Sequence, residues 1–173
     1  MNIRCLAVGV LCQFLLLATI SLGQTSREHC PQNTSDHDAM THRGEKGMGF
    51  SQTATTHHFL LKPDGGVIAV SAKDAKDTGS RDQIRMHLSH IAHAFSAGDF
   101  DIPMFVHDQE PPGVPVMKRL AKEIRYEFRE TDRGGEVAIS SKSSEAVQAI
   151  HDFLVFQIRE HKTGDPVTEA AKD

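Results

Sequence analysis

The sequence predicts an α+β domain in which a ββα unit occurs twice, forming a four-stranded, mainly antiparallel sheet backed by two helices. Two observations carry this: a pair of apolar segments each broken at a Gly-Gly, and after each a long amphipathic stretch ending at Gly-Asp. HHFLLKPDGGVIAVSA (57–72) is one hairpin around Pro63-Asp64-Gly65-Gly66, and YEFRETDRGGEVAISS (126–141) is the other, around Asp132-Arg133-Gly134-Gly135. The Gly-Gly pairs lie 69 residues apart and the helix-ending pairs Gly98-Asp99 and Gly164-Asp165 lie 66 apart. The second hairpin-to-helix linker is therefore three residues shorter.

The elements follow in order. The first helix is expected from Ser80 to about Ala97, with Ser80 and Gln83 as a capping box; the second runs from Ser144, its N-cap, to about Lys162. Repeat 1 covers about 57–99, a linker 100–124 and repeat 2 about 125–163, within one domain spanning 47–163. The linker reads as a short apolar stretch at DIPMFVHD, a proline-rich loop and a short helix starting near Pro115. Residues 24–46 are polar without an apolar period and read as a flexible N-terminus, as does the tail 164–173.

Residues 1–23 carry Arg4, then an apolar run from Leu6 to Ile20, then the small residues Ser21 and Gly23. That is the order of a secretory signal peptide, cut between Gly23 and Gln24. A retained anchor is the second reading, disfavoured because the run is shorter than the roughly 20 apolar residues that span a bilayer and holds Gln13. A periplasmic or secreted protein without a stable membrane anchor is expected. Cleavage removes Cys5 and Cys12, leaving Cys30 alone, so a hydrophobic core and not a disulfide must hold the fold. The formal charge of −4 becomes −5 without Arg4, which argues against nucleic acid as a partner. Eleven His and six Met against one Tyr and no Trp make histidine the unusual feature.

In the first helix Ile84, Leu88, Ile91 and Phe95 form a core stripe. His87 falls about 300° from Ile84, beside the stripe, whereas Met86, His90 and His93 fall at about 200°, 240° and 180°, on the opposite face. Strand alternation turns His57 under the helix toward His87 and His58 to the other face, by analogy with Tyr126 and Glu127 in the second hairpin. The pool of candidate metal ligands is His57, His58, His87, His90, His93 and His107, with Met104 or Met48 as a soft addition. Imidazole and thioether together, outside the cytoplasm, favour copper or zinc. The most economical site takes His57, His87 and His107. The alternative for His57 and His87 is a pair of core-edge histidines bonded locally, and for the outer trio a solvated helix face. No HExxH, CxxC, CxxCH or G-x-S-x-G is present, and Asp64-Gly65-Gly66 joins strand to strand, so no nucleotide site is read there.

RGEKGMGFSQTATTHHFLLKPDGGVIAVSA, RDQIRMHLSHIAHAFSAGDFDIPMFVHD and FLVFQIREHKTGD together resemble a family of short exported bacterial proteins without an established activity. Its distinctive stretches are MGF, TTHHF and IPMFVHD, and the resemblance runs from about Arg43 to Asp165. Some members carry the name aspartate carbamoyltransferase, but the Ser-Thr-Arg-Thr phosphate motif of that enzyme family is absent here. The resemblance implies export and a bacterial origin, and transfers no catalytic residue. Three functions are expected from the residues: a metal-binding protein; a metal-free module binding a ligand, a partner or a second copy on the open sheet face; or a small hydrolase or lyase pairing a His with Asp108 or Glu110.

Overall fold

Each Gly-Gly opens a strand instead of forming the turn itself. The computed structural model describes residues 35–169, with side chains from residue 38; the expected signal peptide, its expected cleavage site and Cys30 lie outside the described residues. Pro63-Asp64 and Asp132-Arg133 make the two-residue turns, joining β1 (Thr55–Lys62) to β2 (Gly65–Ala72) and β3 (Ile124–Thr131) to β4 (Gly134–Ser141). The register is equivalent in the two hairpins: His57 faces Val70 as Tyr126 faces Ile139. β2 and β4 pair antiparallel at the centre, so the sheet runs β1-β2-β4-β3 with an approximate two-fold axis between the middle strands.

The helices cross over. Helix α2 (Thr78–Ser96), which belongs to the first hairpin, packs on β3 and β4, and the last helix, α5 (Ser144–His161), packs on β1 and β2. Leu154 lies over Gly66, where a Cβ would come within 2.2 Å of its Cδ1, and Leu88 lies over Gly135. Each helix also donates to the far hairpin turn: Arg85 to the carbonyls of Thr131 (2.6 Å) and Gly134 (3.1 Å), His151 to that of Lys62 (2.9 Å). The two repeats are thus interlocked, and the core between them is one body. Phe95 stacks on Phe100 at 4.3 Å and Phe153 meets both edge-on, while Ile84, Leu88, Ile150 and Leu154 are fully buried around them.

Five local expectations change. The N-cap of α2 is Asp77, whose carboxylate accepts from the Ser80 N–H (2.9 Å); a charged acceptor also suits the helix dipole, and Ser80 falls inside the first turn. The cap of α5 is Ser143, one residue earlier than expected. The apolar stretch after α2 is helical, α3 (Asp101–His107), with Pro103 in the first turn where no N–H is needed. The polar segment from residue 35 is helix α1 (Ser35–Met48), made stable by tertiary contact: Met40 is buried, Arg43 Nε donates to the Val106 carbonyl (2.9 Å), and Gly47 lies against Phe105 and Val106. Beyond α5, Asp165 is also tied down, accepting from the Phe59 N–H.

Helix α4 (Val114–Arg119) starts at Gly113, which sits at φ +83°, where an added Cβ would lie 2.0 Å from the Ala149 carbonyl of α5. Gly113→Ala is therefore expected to cost at least about 1–3 kcal/mol, read as a lowered denaturation midpoint with unchanged slope. Among the described residues, no helix is long and apolar enough to cross a membrane.

Candidate functional site

A cavity of about 70 Å³ lies between the sheet and the helices, with room for a few waters or one small ligand. Four histidines line it: His57 from β1, His87 from α2, His107 from α3 and His161 at the end of α5. Met48, from the end of α1, and Gln157 from α5 complete its polar and soft groups; the other lining residues are apolar, and none is charged.

The rings are in mutual contact. His57 stacks on His161 (centroids 5.6 Å apart, 10° between planes), and His161 meets His107 edge-on (5.2 Å, 87°). Phe50 packs on both His57 (stacked, 6.0 Å) and His87 (edge-on, 5.5 Å). His107 Nε2 is bonded to Gln157 Oε1 (2.9 Å), and its Nδ1 is 3.9 Å from a Glu160 carboxylate oxygen. His57 Nε2, His107 Nδ1 and Gln157 Nε2 are buried with no hydrogen-bond partner. Three unpartnered nitrogens on residues around one small cavity contrast with the near-complete pairing of buried polar groups elsewhere in proteins.

Burial governs the electrostatics. It lowers His57 to about 4, aided by the nearby His58, and lowers His87 to about 4, aided by His57 and His90. His107 is also lowered by burial, with Arg43 acting the same way and Gln157 and Glu160 opposing. At neutral pH, His57 and His87 are neutral imidazoles with a lone pair on one nitrogen.

The fold supplies its own comparison. Under the two-fold, His57 corresponds to Tyr126, and His87 and His161 to Phe153 and Phe95. The stacked pair His57–His161 thus has Tyr126–Phe95 (5.8 Å) as its counterpart. Aromatic side chains fill the twin positions, so packing alone does not require histidine at 57, 87 and 161.

Three of the expected ligands, His57, His87 and His107, line the cavity, and so does Met48. The others do not. His58 faces outward, bonded to Asp165 (2.9 Å); His90 and His93 are exposed on the outer side of α2 with Met86. Met104 lies outside the lining, its sulfur 3.6 Å from Lys118 Nζ. Asp108 and Glu110 are exposed and line no part of the cavity, Glu110 pairing instead with Lys118. His161 and Gln157 were not among the expected site residues; the repeat held the signal, since His161 falls 66 residues after the core residue Phe95. Among the described residues, no group of three or more His, Cys, Asp or Glu is placed to hold an ion. The parallel His57 and His161 planes do not aim their lone pairs at one point. The open sheet face carries an ion-pair ladder, Arg125–Glu127–Arg129–Glu136. No known protein family, curated protein or solved structure matches the chain.

Proposed function

We propose that the chain is a binding protein whose histidine cavity takes one soft transition-metal ion, copper(I) ahead of zinc(II). The observation that carries this reading is the buried, unpartnered Nε2 of His57 in a cavity also lined by His87 and Met48, where the two-fold twin positions of His57 and His87 hold Tyr126 and Phe153. Neutral imidazole is a ligand for copper and zinc, and the thioether of Met48 adds a donor that copper(I) favours over zinc.

Charge separates the two metals. No carboxylate or thiolate lines the cavity, so an ion there keeps its full charge in apolar surroundings. The cost of burying that charge grows steeply with its size, and a monocation is far cheaper to hold than a dication. Copper(I) also accepts two or three ligands, whereas zinc in a structural site takes four. His57 and His87 are the ligands this reading depends on, with Met48 and His161 as supporting donors after rotation of the rings. His107, engaged through Nε2 with Gln157 and facing Glu160 through Nδ1, serves to support the wall.

Protein prepared without a histidine tag is expected to retain about one equivalent of copper under reducing conditions, measured by elemental analysis and by titration against a chromophoric copper(I) chelator. His57→Ala with His87→Ala is expected to abolish that retention. Undiminished binding by the double variant would overturn the site, and a wild-type protein that takes up no copper or zinc would overturn the metal.

A further inference from the structure

The two outer strands of the sheet end differently. On β1, the outward N–H of Phe59 is capped by the Asp165 carboxylate (2.9 Å), and the Phe59 ring is buried. The first repeat has Asp99 where the second has Asp165, but its carboxylate accepts from the Asp101 N–H at the start of α3 (2.9 Å). β3 therefore lacks the cap that β1 has. Thr131 and Gly134 close a two-residue hairpin, so Thr131, Arg129, Glu127 and Arg125 turn their main-chain groups to β4, and Tyr126, Phe128 and Glu130 turn theirs outward. Among the described residues, these three outward N–H groups have no hydrogen-bond partner, and Phe128, which corresponds to Phe59, is only partly buried.

Open edges are commonly blocked by charge. On β3 the charges instead alternate in sign along the solvent face: Arg125, Glu127, Arg129. Such a row complements itself when two copies run antiparallel. With Phe128 opposite Phe128 of a second copy, Glu127 lies opposite its Arg129 and Arg129 opposite its Glu127, while Tyr126 and Glu130 exchange main-chain bonds across the edge. Centring the pair on Glu127 sets Glu127 against itself and Arg125 against Arg129, which repels. Centring it on Tyr126 runs Arg129 past the start of β3 into the tight turn Ala121–Glu123.

We infer that β3 is the interface of a two-fold dimer, joining two sheets into one of eight strands through the register centred on Phe128. The helix layer fits this joint. α2 packs on β3 and β4 and α5 on β1 and β2, so helices sit two strands apart, about 10 Å, and a second copy sets its α2 at the same interval from the first. The flank of α2 beside the β3 edge is marked by Arg85, paired with Glu130 (2.9 Å); Ser89, Ala92 and Ser96 follow it at spacings of four, three and four. Those three side chains are small enough for two helices to lie that close. The same patch serves both copies, so the assembly closes at two, and it does not depend on what the histidine cavity holds.

Sedimentation velocity of the full chain at concentrations up to about 100 µM tests this. A dimer is expected. Glu127→Arg, which turns two complementary cross-strand pairs into two repulsive ones, is expected to weaken it about tenfold or more, and Arg129→Glu added to the same chain is expected to restore it. Glu130→Pro removes an outward N–H and no bond to β4, and is expected to weaken the dimer while thermal melts show the monomer folded. A wild-type chain that stays monomeric would overturn the inference and leave the edge to a strand from a different protein. A dimer untouched by Glu127→Arg and Glu130→Pro would place the interface elsewhere, and a folded double variant that does not regain the dimer would overturn the register.

Discussion

Lowering the pH of the metal-free protein from 7 to 4 is expected to remove several kcal/mol of folding stability through two side chains, His57 and His87. Each is lowered by burial to about 4 in the folded state, against about 6.5 when unfolded. Between these values the unfolded chain binds more protons than the folded one, so stability falls as pH falls through that window. Above about pH 6.5 both states are neutral and the contribution is flat; below about 4 both are charged and the loss levels off. The full shift corresponds to at most about 3 kcal/mol per histidine. His107, lowered in the same direction, adds to the trend. Urea melts at pH 7, 6 and 5 isolate the effect, because model carboxylates titrate mostly below about 4.5. The control is His57→Tyr with His87→Phe, the residues found at the two-fold equivalents Tyr126 and Phe153. That variant is expected to lose most of the slope between pH 7 and 5, and an unaltered slope would show that other groups carry it. By the same neutrality, a metal ion held there as proposed would meet little proton competition until pH nears 4, well below the usual histidine range.

Much of this site was legible from short-range chemistry. Strand alternation turned His57 inward and His58 outward, and helical phase put His87 at the core boundary with His90 and His93 outside it. These are consequences of backbone periodicity, which survives any tertiary environment. Helix α1 was not legible, because its stability comes from burial of Met40 and the bond of Arg43 to α3 and not from an apolar period of its own. The apolar stretch at 101–107 gave no helical phase to place Met104: three residues apart, Met104 and His107 lie on neighbouring positions of α3, yet His107 is buried against Phe156 while the Met104 sulfur meets Lys118. The crossing of α2 onto the second hairpin was hidden for a different reason. Periodicity shows which face of a helix is apolar, but not which strands that face will cover. That crossing brings α5, and so His161 and Gln157, over the strand that carries His57.

Truncation of Phe153 to alanine is expected to cost about 3–5 kcal/mol, a large share of the stability of a domain this size. The ring is wholly buried and lies edge-on to Phe95 (5.9 Å) and Phe100 (6.1 Å), which are stacked on each other and cannot both move in to fill the space. Phe153 differs from Phe100 in one respect: it also lines the histidine cavity. The void left by Phe153→Ala therefore opens onto His57 Nε2 and Gln157 Nε2, where entering water finds hydrogen-bond partners and offsets part of the loss. Phe100→Ala leaves a void beside apolar side chains, which stays dry and is expected to cost as much or more. Paired urea melts of the two variants measure the difference, and a loss below about 1 kcal/mol for Phe153→Ala would mean that the core collapses around the site. Copper(I) titration of Phe153→Ala separates the ring's two roles: since His57 and His87 remain, the stoichiometry is expected to hold while stability falls, and loss of binding would make the aromatic wall part of what positions the ligands.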